Sequence, residues 1–493
     1  MRHLFAFLSL FLMSGFIDAQ VVTAPLKPDN PIQKYIDEIA IMPKLSGAAI
    51  SFYVKNMSTG ELVADYNGQM ALPSASTMKL VTTATASQML GGNYRFKTKL
   101  MYSGDFDYLT GVLNGDLYIV GGGDPTLGSK YYNKIGAQDS FLYEWAEKIK
   151  AFGIKKITGR VIGDGSKYRY DGVPTGWVWG DLGNYYGAGP NGLTIYDNMC
   201  RLEFRSGLNE GDSTELLCIN PYIHDLTIQN AVKAGNGSDD SYVFGAPYSY
   251  DWFIRGTIPK GKESFEVKAS IPDPERLMSV ELYHALKMSG IEISKGATSF
   301  RELSKNREFV KPNLQPIFEH SSPSLGSIID EVNQKSINLF AEHLLCEISY
   351  KKSGYGSTYN GAQICSNYWS SKAGTGLFMA DGSGLSRSNA VSAMFLVELL
   401  TYMNKAEGAE SFKNSLAIAG KKGTMSAMCI GSTAEGTAYG KSGSMTRIRS
   451  YAGYVDSNTG KKLAYGIIFN NFNGASSDIT KFCENILVEL SIY

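Results

Sequence analysis

Apolar positions change their rhythm twice along this chain. Near the start, residues 48–54 form an apolar, β-rich run, residues 55–60 read as a turn, and residues 61–66 alternate apolar with polar side chains, which is a hairpin pattern. Ahead of it, residues 32–41 carry apolar side chains at helical spacing. Residues 73–76 open a further helix that continues to Leu90, where Gly91-Gly92 stops it. The far end mirrors this arrangement. Residues 446–455 and 461–470 are strand-like, Asp456-Ser-Asn-Thr-Gly460 joins them, and residues 477–492 are helical. A hairpin at each end, with flanking helices, predicts one antiparallel sheet built from both ends of the chain.

The middle has another texture. Short strands at 94–101, 113–120 and 157–163 alternate with turns, and one clear helix spans 140–152. The helix at 274–289 resumes the style of the ends. The expected organisation is therefore α+β, with a discontinuous unit of residues 20–97 and 272–493 interrupted by a β-rich insertion, 98–271, of two subdomains. Gly121-Gly-Gly-Asp-Pro125 follows a strand but lacks the Lys-Ser/Thr of a phosphate loop, so it reads as turn chemistry. Residues 1–19 have a basic start, an apolar run from Leu4 to Phe16 and a small residue before Gln20, the pattern of a secretory signal peptide. The run is short against the roughly 20 residues of a spanning helix. An exported protein without a transmembrane anchor is expected.

Charge narrows the partners: 47 basic and 47 acidic residues cancel, which argues against nucleic acid and membrane surfaces. None of the six cysteines has zinc-site spacing, and no cofactor or metal is implied. Cys200 and Cys218 flank a hairpin-like loop that a disulfide could close, whereas Cys346 and Cys483 sit in apolar helical patterns as core thiols.

The candidate chemistry starts at Ser76-Thr-Met-Lys79. A serine and a lysine three apart at a helix start share one face. The helix N-terminus also favours an anion beside the serine. Lysine can take the serine proton only when neutral, which requires burial or a neighbouring cation, and Lys441 could be that cation. Lys441-Ser-Gly443-Ser444 leads into the strand-like 446–455. Lys441 at its start could bind a substrate carboxylate, Gly443 would let a ligand approach the backbone, and the N–H groups of Ser444 and Ser76 would form an oxyanion hole. Ser336-Ile-Asn338 lies on a loop or helix cap, where simple capping is the competing reading. Each motif has a decoy: Ser349-Tyr-Lys-Lys352, Ser304-Lys-Asn306 and Lys352-Ser-Gly354. Order and context separate the real set. Ser-x-x-Lys, Ser-x-Asn and Lys-Ser-Gly occur in the order shared by penicillin-binding proteins and class A β-lactamases, with Ile337 and Ser442 in place of the usual Asp and Thr.

Beyond that triple, the chain resembles the class C low-molecular-mass penicillin-binding proteins, the D-alanyl-D-alanine carboxypeptidases/endopeptidases. The resemblance spans nearly all of the expected mature chain. It also rests on Gly115-Asp-Leu-Tyr-Ile-Val-Gly-Gly-Gly-Asp-Pro-Thr-Leu127, on Asp381-Gly-Ser-Gly-Leu-Ser-Arg387 and on the long insertion between Lys79 and Ser336. It implies a β-lactamase/transpeptidase-like domain with inserted β-rich subdomains, a periplasmic location, and cleavage of D-Ala-D-Ala and D-Ala-diaminopimelate bonds in peptidoglycan stem peptides. Ser76 would be acylated, by substrate or by β-lactams, with Lys79 as general base. Ser336 would relay a proton to the leaving amine, Asn338 would hold Lys79 and the substrate amide, and Lys441 would bind the terminal carboxylate. Asp181 could bind the diaminopimelate amine beside Tyr186, and Arg387 the same residue's carboxylate; loop packing and a surface salt bridge are the rival readings. Two other functions stay open. A serine β-lactamase would release a penicilloyl group fast, and a non-catalytic wall-binding protein would not be labelled by penicillin.

Overall fold

The computed structural model describes residues 30–134, 136–306 and 309–493. The expected signal peptide lies outside these residues. Both chain ends do build one antiparallel sheet. Its strands run in the order Leu62–Tyr66, Ala49–Asn56, Lys462–Asn470, Ile448–Asp456, Ala438–Met445 and Ala417–Ile418. The central register pairs Ala49 with Asn470 and Ile448 with Asn470. Helices cover both faces, so the inner strands are buried almost throughout rather than alternating. On one face Pro31–Ala40 and Ser476–Ile492 pack through Ile36, Ile39, Ile486 and Leu490. On the other lie Ala393–Met403 and the helix Lys79–Leu90 that carries the candidate nucleophile at its start, buried on all sides from Lys79 to Ala86.

A second core gathers the middle of the chain. Its main sheet has the order Ala297–Ser299, Val161–Asp164, Leu117–Val120, Lys97–Tyr102 and Gln315–Ser321, under the helix Ser140–Phe152. Two three-stranded sheets follow, centred on Met199–Ser206 and Asp251–Pro259. The helix Pro274–Met288 differs from its expected allegiance. Its apolar face, Leu277, Met278, Leu282 and Leu286, joins Trp145 and Ile149 in this second core. Helical spacing reveals an apolar stripe but not which core will receive it.

The two cores meet along the helix Asn338–Ser353. There buried His343 contacts the Gly123 carbonyl through Nδ1 at 2.9 Å and the Thr194 hydroxyl through Nε2 at 3.0 Å. Burial holds its imidazole down to about 4, so it docks as a neutral ring. Beside it Lys167 and Glu347 pair at 2.7 Å, and Tyr94 and Tyr168 both donate to Glu347. The loop at 121–125 is thus a docking turn.

Cys200 and Cys218 are not bridged. The hairpin forms, between Met199–Ser206 and Thr214–Asn220, but its register sets Cys218 opposite Glu203, to which its thiol donates on the exposed face, while Cys200 points into the core. Cys346 and Cys483 are buried, as core thiols should be. Among the described residues no helix is long and apolar enough to cross a membrane.

Candidate active site

Ser76 sits in a tight 3-10 turn, Ala75–Met78, that feeds the nucleophile helix. Ala75 has φ +48°, a left-handed conformation unusual for a side chain with a Cβ. Two neighbours leave the turn little room. A Cβ at Gly443 would fall 2.3 Å from the Ser74 carbonyl, and one at Gly384 would fall 1.9 Å from the Ala75 carbonyl. Gly443 therefore admits the chain's own nucleophile turn rather than a ligand. Ser450 Oγ donates to the Ser74 carbonyl at 2.5 Å and anchors it from the next strand.

Lys79 is fully buried, and its amine reaches three oxygens: Ser76 Oγ at 2.9 Å, Asn338 Oδ1 at 2.6 Å and the Ser383 carbonyl at 2.7 Å. Two of these can only accept. A neutral amine that gives its two hydrogens to Asn338 and Ser383 must turn its lone pair toward the Ser76 hydroxyl. Burial is the leading influence on its charge and brings the amine down to about 7, against the opposing pull of Asp381 and Glu342. The cause is thus burial, one of the two routes the sequence left open, rather than the charge of Lys441.

Lys441 belongs to the strand Ala438–Met445, not to the start of the following one; residues 446–447 are the turn between the two, with Arg447 at φ +59°. Its buried amine donates to Ser336 Oγ at 2.9 Å and to the Ser442 carbonyl at 2.8 Å. Burial first, and the charge of Lys79 second, hold it well below the ordinary lysine value. Ser336 closes the helix Leu325–Lys335 in a left-handed conformation, φ +61°, and Asn338 begins the next helix. This sharp corner carries Asn338 to Lys79 and Ser336 to Lys441.

A cleft of about 480 Å³ opens over these groups, lined by Ser76, Ser336, Asn338, Ser444, Asp181, Tyr186 and Arg387. Lys79 and Lys441 lie beneath its floor, and Ser442 lies aside, its hydroxyl on Thr424 at 2.7 Å. The inserted region supplies one wall. Tyr186 gives its carbonyl to Asn338 Nδ2 at 2.8 Å and its hydroxyl to Asp181 at 3.4 Å. Burial raises the Asp181 carboxyl, and the charge of Arg387 opposes that rise. The decoys stay apart: Ser349 is buried inside its helix, on the Tyr355 carbonyl.

Two buried carboxyls escaped the sequence reading as functional groups. Asp381 accepts from the N–H groups of Gly384 and Ser386, from Asn389 and from the Trp177 indole. Glu342 accepts from Gly382 and Ser383. The trace left in the sequence is a Glu four residues after Asn338, in a largely apolar helix that also holds His343 and Glu347.

The model of the D-Ala-D-Ala carboxypeptidase 3 (S13) family matches residues 32–489, and the chain belongs to that family of serine-type peptidases. Among its relatives, D-alanyl-D-alanine carboxypeptidase DacB of Haemophilus influenzae is 25% identical over 91% of both chains. A D-alanyl-D-alanine carboxypeptidase of Actinomadura is 27% identical over 90% of this chain and 81% of that one. The crystal structure of penicillin binding protein 4 (dacB) from Haemophilus influenzae shares the fold, with TM-score 0.78 at 23% identity over 94% of this chain and 100% of that one. The same protein complexed with a novel β-lactam gives TM-score 0.73 at 21% identity over 93% and 100%. The α+β, penicillin-binding-protein type of fold is thereby established.

Proposed function

We propose that this protein is an exported serine DD-peptidase that cleaves the terminal D-Ala-D-Ala bond of peptidoglycan stem peptides, and D-Ala-diaminopimelate cross-links, through an acyl-enzyme on Ser76. The observation that carries the reading is the Lys79 amine, buried, lowered to about 7 and set 2.9 Å from Ser76 Oγ with two carbonyl oxygens on its other side. Lys79 takes the hydroxyl proton as Ser76 Oγ bonds to the scissile carbonyl carbon. The N–H groups of Ser76 and Ser444 receive the oxyanion. Collapse expels the D-Ala amine, which receives through the Ser336 hydroxyl the proton that Lys79 took, with Lys441 holding that hydroxyl at 2.9 Å and Lys79 left neutral again. Water then hydrolyses the ester. The terminal carboxylate favours the protonated form of Lys441, which burial otherwise disfavours, and meets its amine from beneath the strand with Ser444 beside it and Ser442 behind. Asp181 receives the side-chain amine of the diamino acid, Tyr186 packs beside it, and Arg387 meets the adjoining carboxylate.

The segment from Lys97 to Ser321 acts as the inserted module that shapes the substrate end of the cleft. β-Lactams acylate Ser76 as mimics of the D-Ala-D-Ala terminus. Release of the penicilloyl group is slow, because the carboxyl lining the cleft, Asp181, is engaged with Tyr186 rather than poised beside Ser76. The test is release of D-alanine from a stem tripeptide ending in D-Ala-D-Ala, and scission of a cross-linked dimer, by wild type and Ser76→Ala. Wild type should do both and the variant neither. Equal release by the two proteins would overturn the proposal, and loss of dimer scission alone would confine it to carboxypeptidase action.

A further inference from the structure

Glu342 has no part in the steps above, yet it lies fully buried at the centre of the site. It stands one helical turn beyond Asn338, so the two side chains share a face of the helix Asn338–Ser353. Its Oε1 accepts the N–H of Ser383 at 2.7 Å and its Oε2 the N–H of Gly382 at 3.0 Å. The carbonyls of the same two residues face the nucleophile helix: Gly382 accepts from the Thr82 hydroxyl at 2.6 Å and Ser383 from the Lys79 amine at 2.7 Å. The backbone at 382–383 is therefore gripped from both sides. The fit is close, since a Cβ at Gly382 would fall 2.8 Å from the Ala341 carbonyl.

We propose that Glu342 is a positioning residue for the Ser76–Lys79 pair: its carboxylate, bridging two consecutive backbone N–H groups, aims the Ser383 carbonyl at the Lys79 amine and so leaves the amine's lone pair on the Ser76 hydroxyl. The inference rests on the reading of Ser76 as nucleophile and Lys79 as its base. Its chemistry is simple. The proton passes from Ser76 Oγ to Lys79 Nζ, the new ammonium gains a third hydrogen, and the carboxylate keeps its two bonds throughout. A neutral side chain of the same shape cannot do this. An amide would turn an N–H group toward a backbone N–H, and one of the two bonds would become a donor–donor clash. Glu342 also contributes charge. The charged groups facing Lys79 are Glu342 and Asp381 on the acidic side and Lys441 on the basic side, and the thiol of Cys346 lies beside Glu342. The Glu342 charge favours the ammonium formed when Lys79 takes the proton. Burial first and Asp381 second raise the Glu342 carboxyl to about 8 against the pull of its N–H donors, so the charge it brings to Lys79 grows as pH rises through that value.

The experiment compares wild type, Glu342→Gln and Glu342→Asp in the second-order rate of acylation by a fluorescent penicillin as a function of pH, beside their thermal unfolding. Glu342→Gln should lose about 10- to 100-fold in acylation, because the base is misaimed. Its acidic limb should move to lower pH, because a charge that held the Lys79 proton is gone. Glu342→Asp keeps the charge but shortens the arm, so its rate should fall while its limb stays at the wild-type pH. The proposal is overturned if both variants keep the wild-type rate. It is also overturned if rate and stability fall together with an unchanged limb in Glu342→Gln, or if both variants are unfolded, since the residue would then serve packing alone. A wild type that takes no label would instead overturn the Ser76 reading, and this inference with it.

Discussion

In the proposed mechanism Lys79 must be neutral to take the Ser76 proton, and its surroundings pull in opposite directions on that point. Burial expels the charge while Asp381 and Glu342 invite it, and burial wins, leaving the amine at about 7. Acylation by penicillin should accordingly rise with pH through about 7, and Lys79→Met should abolish it. A wild-type profile flat from pH 5 to 9 would contradict the base assignment. Stability follows from the same lowering. The folded chain releases this proton near 7 and the unfolded chain near the ordinary 10.5, so between them the unfolded state binds more protons. The cost of burying Lys79 is then full below pH 7 and shrinks as pH rises toward 10.5. Thermal unfolding of Lys79→Met against wild type across this range should show a relative gain for wild type as pH rises. Ser76 and Lys79 were legible in the sequence because three residues of helix put two side chains on one face. Glu342 was not, because an acidic residue in an apolar stretch shows nothing of the backbone groups that will occupy it.

Among the elements, the strand Ala438–Met445 was one the sequence concealed. Gly440, Lys441, Ser442, Gly443 and Ser444 have no β-branched or aromatic side chain among them, so propensity argued for a loop leading into the next strand. The strand exists because its neighbour pairs with it and because its glycines permit contact: Gly443 lies against the nucleophile turn and Gly440 against the Tyr465 hydroxyl. Gly443→Ala should therefore displace the Ser74–Ser76 backbone and cut penicillin acylation, with an overpacking cost of about 1–3 kcal/mol. Unchanged acylation would show that the turn yields freely. The helix Asn338–Ser353 carries the other essential contact, the pair of Glu347 with Lys167 across the two cores. Glu347→Gln leaves that lysine without its counter-charge in a mostly buried position and should cost about 3–5 kcal/mol in urea unfolding. A loss below about 1 kcal/mol would place the pair among surface bridges of little weight. The outer hairpins and the terminal helix, by contrast, were legible to within a few residues, since their apolar runs and their turns ending in Thr-Gly are local signals.

At the scale of the molecule, the site exists only where two cores meet. The first gives Ser76 and Lys79, the proposed nucleophile and base. The second sends the segment around 176–188 over them, fastened by Trp177 on Asp381 and by the Tyr186 carbonyl on Asn338. The long insertion was visible in the sequence as a change of texture, but no local pattern told that Pro274–Met288 would join it, because partnership between cores is a property of the folded whole. Asp181→Asn should slow turnover of stem peptides bearing a free side-chain amine more than it slows acylation by penicillin, which has no such amine. An equal loss on both would assign Asp181 to the chemistry or to packing. Wild type quenched after exposure to benzylpenicillin and analysed by tandem mass spectrometry should carry one penicilloyl group, on the peptide that contains Ser76, and Ser76→Ala should carry none. A modification on another residue, such as Ser349 in the second Ser-x-x-Lys, or an unmodified wild type, would contradict it.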